Sequence, residues 1–119
     1  RILRPKSARQ AYKYYLKGRI PEGWCGLRYP HSNFSLALSF PVSRVPHLGV
    51  LPNEGGWQDL YNIFLEPCTA TFDRPETARY RKENSTIQAR SVMEWHLNIT
   101  LAEGTQFKRV LENGELETT

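Results

Sequence analysis

Residues 46–57 read PHLGVLPNEGGW and residues 61–69 read YNIFLEPCT, and these two segments decide the fold. A short apolar run at 48–51 leads into turn residues at 53–56, where two glycines admit positive φ or the close approach of a ligand. A second run, residues 61–66, predicts a strand that ends at Glu66, just before Pro67. A single carboxylate at the end of an apolar strand costs free energy of folding unless it is paired or serves a function.

The rest of the chain alternates with period two, which is the pattern of half-buried antiparallel strands. The strongest alternation is at residues 93–101, where apolar side chains alternate with polar ones. The fold class that follows is mainly β, an antiparallel β-sandwich with one N-terminal helix and one short helix. The strands are predicted at residues 24–29, 34–40, 48–51, 61–66, 85–89, 93–101 and 107–111.

Two helices are predicted as additions to the sheets. The first covers residues 7–16, with Ser7 and Gln10 as a capping box and an apolar stripe at helical spacing. The second begins after Asp73, which is the predicted N-cap, and has Pro75 in its first turn. We therefore divide the chain into a basic helical segment, residues 1–20, and a β-sandwich portion, residues 21–119.

The net charge of +4 is distributed unevenly along the chain. Residues 1–19 contain seven Lys or Arg and no acid, whereas the remainder contains nine basic and twelve acidic residues. No aromatic stacking platform accompanies the basic segment, so we predict a solvated face and no nucleic-acid partner. No apolar run approaches the roughly 20 residues that span a bilayer, so no membrane partner is expected.

The two cysteines, Cys25 and Cys68, permit one disulfide but do not require it. With no visible signal peptide, this low cysteine content favours a cytoplasmic location. The sequence contains no Cys-x-x-Cys, no His-Glu-x-x-His and no glycine-rich phosphate loop, so we predict no metal and no cofactor.

The Asn53-Glu54-Gly55-Gly56-Trp57 and Leu65-Glu66-Pro67 motifs resemble the C-terminal part of the galactose-mutarotase-like proteins, the aldose epimerase superfamily. The resemblance runs from Trp24 to Leu101, roughly two thirds of the chain. It implies that Glu66 faces a sugar and stands at the position of the general base that takes the anomeric hydroxyl proton. The general-acid histidines of true mutarotases lie upstream of this region and have no counterpart here. The chain thus looks like the second half of a larger sandwich.

The candidate site follows from the motifs and from strand alternation. Glu66 shares a predicted strand face with aromatic and amide side chains, and an aromatic ring beside a carboxylate suits a sugar. Glu66 is the candidate catalytic residue, and the candidate substrate-binding residues are His47, Asn53, Trp57, Asn62 and Phe64.

The sequence leaves two functions open. The first is a carbohydrate-binding domain of the mutarotase-like superfamily that acts on the anomeric centre of a sugar or sugar derivative. The second is a non-catalytic structural or protein-interaction domain that keeps the fold. In either case the helical stripe at residues 8–16 is too small to cover a whole sheet, so the remaining apolar surface requires further sequence, a partner or self-association.

Overall fold

A computed structural model describes residues 2–104 and 107–118, and it is mainly β with antiparallel sheets and one short α-helix. Short 3₁₀ turns lie at Lys6–Ala8 and Pro30–Ser32, and the helix α1 is Pro75–Tyr80. The strands are β1 (Gln10–Ala11), β2 (Tyr14–Tyr15), β3 (Trp24–Tyr29), β4 (Phe34–Ser39), β5 (His47–Glu54), β6 (Tyr61–Cys68), β7 (Asn98–Glu103), β8 (Phe107–Val110) and β9 (Leu116–Thr118).

Strand β5 is the centre of the first sheet. It pairs with β6 on one side and with β1 and β2 on the other, all antiparallel. The second sheet has the order β3–β4–β7, and β8 and β9 form a separate hairpin. The architecture confirms the prediction of an antiparallel, sandwich-like β fold.

The core lies between the two sheets. Leu48 and Val50 of β5 face it from the first sheet, and Cys25 of β3 faces it from the second. On β5 the two core side chains alternate with Gly49, which faces away from the core. The core is completed by Ile20, Phe40 and Val45, with Tyr14, Leu38, Val42, Ile63 and Leu65 packed at its margin.

The prediction of an N-terminal helix at residues 7–16 is wrong. The chain makes one 3₁₀ turn, reverses at Arg9 with a left-handed φ of 53°, and then runs along β5. The amide of Tyr12 donates to the carbonyl of Pro52 at 3.3 Å, and that of Leu16 to Leu48 at 3.0 Å. Three tyrosines favour strand, and the free edge of β5 offers hydrogen bonds that override the helical spacing. The segment is therefore part of the first sheet.

Strand boundaries differ from the predictions in several places. The strand predicted to end at Glu66 continues through Pro67 to Cys68, because β6 pairs with β5 on one side and a proline is tolerated in an edge strand. Asn53 and Glu54 lie in β5, not in the turn, which begins at Gly55. Residues 85–89 form no strand, and this region shows an isolated bridge between Ala70 and Asn84. The predicted strand at 93–101 begins only at Asn98.

The late start of β7 has a simple cause. Asn98 pairs with Ser39, the last residue of β4, so residues before Asn98 would have to pair beyond that strand. Pro41 follows there, and proline has no N–H to donate to a sheet. The alternating pattern thus continues past the point at which its partner ends.

The molecule is more open than its length requires. Its radius of gyration is 16.0 Å, against about 13.5 Å for a compact domain of this length. The hairpin β8–β9 covers one face of the second sheet, where Ser35, Ala37 and Ser39 are buried. On the opposite face Tyr29 and Leu101 stay 46% and 61% exposed. We call this exposed surface, on the side of the second sheet opposite the hairpin, the open face.

The N-terminal segment is anchored by a buried carboxylate. Glu54 is fully buried, and Arg4 donates to it from its backbone amide at 2.8 Å and its Nε at 2.9 Å. A guanidinium nitrogen of Arg4 also lies 2.6 Å from Oε2. A buried charge is tolerated only when it is paired in this way.

Replacing Arg4 with alanine should lower the free energy of unfolding by about 3 kcal/mol, because the buried Glu54 carboxylate loses its charged partner. Urea denaturation of both proteins measures the difference. Arg9→Ala is the control, because its ion pair with Asp59 is exposed and screened by solvent, so its loss should cost much less stability. Equal losses in the two variants would contradict the role assigned to Arg4.

Candidate functional site

The register of the first sheet brings Tyr15 and Glu66 together across Gly49. Tyr15 pairs with Gly49 on one side and Glu66 pairs with Gly49 on the other, so all three share the face that points away from the core. A Cβ at position 49 would lie 3.0 Å from the Tyr15 ring and 3.4 Å from a Glu66 oxygen. Glycine therefore allows the ring and the carboxylate to approach each other over the backbone.

Lys13 links two carboxylates at this point. Its Nζ lies 2.8 Å from Oε2 of Glu66 and 2.6 Å from Oδ1 of Asp73. The hydroxyl of Tyr15 donates to the same Oδ1 at 2.9 Å, and the Lys13 ammonium lies 5.1 Å from the centre of the Tyr15 ring. We call Lys13, Tyr15, Glu66 and Asp73 the Lys13 cluster.

The cluster shifts the pKa values of its members. Partial desolvation by itself would lower the pKa of Lys13, but hydrogen bonds to Asp73 and Glu66 outweigh it and raise that pKa above its usual range. Hydrogen bonds from Lys13 and Tyr15 lower the pKa of Asp73. Burial raises the pKa of the Tyr15 hydroxyl. At neutral pH, Lys13 is therefore a fixed cation and Asp73 a fixed anion.

A cleft of about 410 Å³ opens beside this cluster, between the N-terminal segment and the loop after β6. Phe72 lines it with a left-handed φ of 66°, a strained conformation for an aromatic residue. Its ring lies 5.8 Å from that of Tyr15, and the Arg81 guanidinium stands 4.8 Å from its centre. The Thr71 hydroxyl donates to Glu83 at 2.6 Å and holds the loop in place. The cleft thus combines aromatic rings with charges of both signs.

Two of the residues predicted to bind substrate are buried and have structural contacts. Asn53 is fully buried, and its side chain accepts from the amide of Trp57 at 3.0 Å and donates to its carbonyl at 2.9 Å. His47 is 3% exposed, and its Nδ1 donates to the carbonyl of Gly18 at 3.0 Å. Asn53 thus holds the glycine-rich turn and His47 holds the N-terminal segment, so neither side chain is open to a ligand.

The other three predicted residues lie on the sheet face of Glu66, or beside it. Phe64 and Asn62 alternate with Glu66 along β6, and the ring of Trp57 packs 6.5 Å from that of Phe64. Trp57 is 49% exposed and Phe64 39%. The Asn62 Oδ1 is buried and accepts no hydrogen bond from any described residue. Glu66 keeps 32% of its side chain exposed, but it contacts the cleft-lining Lys13 and does not line the cleft itself.

Sequence reasoning missed Lys13, Tyr15, Phe72 and Arg81, and it misassigned Asp73. The N-cap of α1 is Arg74, and no side chain caps that helix, so the prediction of Asp73 as a cap is wrong. Asp73 is held by Lys13 and Tyr15 instead. The alternation of Lys13 and Tyr15 in a tyrosine-rich segment was the signal that could have placed both on one strand face.

Neither metal ligation nor a disulfide is part of this site. Within residues 2–104 and 107–118, no three His, Cys, Asp or Glu side chains converge as metal ligands would. Cys25 and Cys68 are free thiols, and burial raises the pKa of Cys25 to about 12. The single α-helix in those same residues has neither the length nor the hydrophobicity to cross a bilayer.

Comparisons with protein-family models, with the sequences of known proteins and with solved structures gave no match. The site must therefore be interpreted from its own geometry.

Replacing Asp73 with asparagine should destabilise the protein at neutral pH, and this effect should fade in acid. The folded-state pKa of Asp73 is depressed below 3.8, so its carboxylate stabilises the fold above that value and loses this effect as the pH falls through the folded pKa. Urea denaturation of wild type and Asp73→Asn over a pH series measures the difference. Tyr80→Phe, at an 88% exposed position, is the control. A destabilisation that stays constant into acid would contradict the charge-based role.

Proposed function

We propose that this chain binds a carbohydrate in the cleft beside the Lys13 cluster. The supporting observation is that Tyr15 and Phe72 line the cleft together with Asp73. Sugars present an apolar C–H face that stacks on such rings and hydroxyl groups that donate to carboxylates. Arg81 supplies donors for the hydroxyl oxygens on the same side.

The proposal agrees with the resemblance to the mutarotase-like superfamily in one respect. Glu66 lies on the outer face of the sheet, next to Tyr15, and pairs with Lys13, which lines the cleft. It differs in another respect, because Lys13 stands between Glu66 and Asp73 and holds both carboxylates. A ligand would meet a preformed array of charges, which favours binding over proton transfer.

Catalysis of anomer exchange is not part of the proposed function. A general base needs a general acid whose pKa lies near the working pH, and Lys13 has a raised pKa that keeps its proton. His47 is buried in contact with Gly18 and does not line the cleft. Glu66 therefore positions Lys13 at the cleft and takes no proton from the ligand.

Binding is tested by NMR titration of the ¹⁵N-labelled chain with a panel of methyl glycosides and oligosaccharides. Shifts should concentrate on the N-terminal strand segment and on the loop at residues 71–73. Asp73→Asn should weaken binding about tenfold, since a hydrogen bond to a charged group is worth about 1.5 kcal/mol or more. The matched control is Asp59→Asn, an exposed, lysine-paired aspartate that does not line the cleft.

Shifts that avoid the cleft, or equal weakening by Asp73→Asn and Asp59→Asn, would contradict the proposal. A panel that produces no shifts at all would contradict it as well.

Polarimetry on freshly dissolved α-glucose and α-galactose tests the absence of catalysis. The chain should not accelerate the approach to anomeric equilibrium above the buffer rate, because no acid pairs with Glu66. A rate well above buffer that disappears in Glu66→Gln would show that an acid is present. The Asp59→Asn variant controls for general effects of removing a carboxylate.

The second candidate function, a protein-interaction domain, is favoured by a different part of the molecule. On the open face the side chains of Leu101 and Ile99 are 61% and 63% exposed. A closed sandwich would bury such apolar side chains, and an exposed apolar patch is typical of an interaction surface.

A further inference from the structure

Residues 91–97 run without a turn or bend directly into β7. The odd-numbered residues from Met93 to Leu101 form a continuous row of apolar side chains, which we call the apolar stripe. Trp95 and Leu97 are 47% and 40% exposed, and Ile99 and Leu101 are more exposed still. The stripe therefore continues the apolar row of β7 beyond the end of its sheet partner β4.

The intervening even-numbered residues hold this segment against the hairpin. The side-chain amide of Asn98 donates to the carbonyl of Glu112 at 2.7 Å, and the Thr100 hydroxyl donates to Gly114 at 2.8 Å. His96 lies 3.8 Å from a Glu112 carboxylate oxygen. These contacts fix the polar side of the segment, so the apolar stripe is directed to the other side.

The backbone edge of this segment is open. Strand β7 is the outer strand of the order β3–β4–β7, and no described strand pairs with its other edge. Such an edge with exposed apolar side chains is a template for another strand.

We infer that a second copy of this chain pairs with that edge, antiparallel and with a two-fold axis at Leu97. The stripe is symmetric about this residue, so Met93 lies opposite Leu101 of the second copy and Trp95 opposite Ile99. Two identical antiparallel strands pair isologously in this way. The register centred on Leu97 matches all five apolar residues with one another.

The same register is compatible with the charges. Glu94 lies opposite Thr100 of the second copy, and His96 opposite Asn98, so no like charges face each other on the polar side. Like charges directly opposite would destabilise the pair. The absence of such a conflict favours a second copy over an unrelated partner, whose charges would have to be matched separately.

The surface area also suits a dimer. The chain exposes 8505 Å², about 1,900 Å² more than the roughly 6,600 Å² typical of a folded monomer of this mass. A stable dimer needs about 800 Å² from each partner. The excess therefore contains enough surface for such an interface.

Analytical ultracentrifugation over a range of concentrations tests self-association. The wild-type chain should show a concentration-dependent monomer–dimer equilibrium, and Ile99→Lys should weaken it at least tenfold. Ile99 is 63% exposed, so the substitution leaves the monomer fold intact. Tyr80→Lys, at an even more exposed position on α1, is the matched control and should leave the equilibrium unchanged.

Thiol cross-linking tests the register. Leu97→Cys places the two introduced thiols directly opposite each other, with Cα atoms about 5 Å apart, so a mild oxidant should join them. Trp95→Cys places the thiols about 13 Å apart, too far for a disulfide. Native Cys25 is buried, and Cys68→Ser in both variants removes the second thiol.

Either of two results would overturn the inference. One is a wild-type chain that remains monomeric at the highest attainable concentration, which would leave the edge to a different partner. The other is a dimer that Ile99→Lys does not weaken, or that cross-links equally well through both introduced cysteines.

Discussion

The pairing of residues 10–16 with the edge of β5 is the contact on which the rest of the structure depends. It makes β5 a central strand, and it places Tyr15 over Gly49 beside Glu66. It also brings the basic N-terminal residues onto acids of the first sheet and of its loops: Arg4 onto Glu54, Lys6 and Arg9 onto Asp59, and Lys13 onto Glu66 and Asp73. The basic N-terminal residues and the acids of the remaining chain thus neutralise each other where the N-terminal segment pairs with β5.

The charges of the Lys13 cluster explain how Glu66 can lie within a largely apolar strand. Its carboxylate shares the ammonium group of Lys13 with Asp73 and remains partly exposed. Lys13 keeps its proton because its pKa is raised, and Asp73 stays ionised because its pKa is lowered, which makes the cluster a poor proton-transfer device and a well-ordered binding surface. The loop that carries Asp73 is strained at Phe72, and the Thr71–Glu83 contact holds it in that conformation.

The two sheets differ in how their surfaces are covered. The first sheet has the core on one face and the Lys13 cluster on the other. The second sheet is covered on one face by the hairpin, and its opposite face contributes Cys25 to the core but leaves other apolar side chains exposed, there and along the β7 edge. The proposed sugar site and the proposed dimer edge therefore use different strands, and each can be disrupted without touching the other.

The sequence by itself determined the strands β3 and β4 and the two apolar segments that become β5 and β6, with Glu66 in the second, because alternation and turn residues are local signals. It also indicated that apolar surface would remain uncovered. Only the tertiary structure decided the N-terminal segment: its tyrosine-rich spacing fits both a helix and a strand, and the open edge of β5 selects the strand. The same holds for Asp73 and for residues 93–97. Asp73 is bound by Lys13, which is 60 residues away in the sequence. Residues 93–97 have no strand to pair with, because β4 ends before Pro41. These features depend on contacts between residues that are far apart in the sequence, and a local sequence pattern does not specify such contacts.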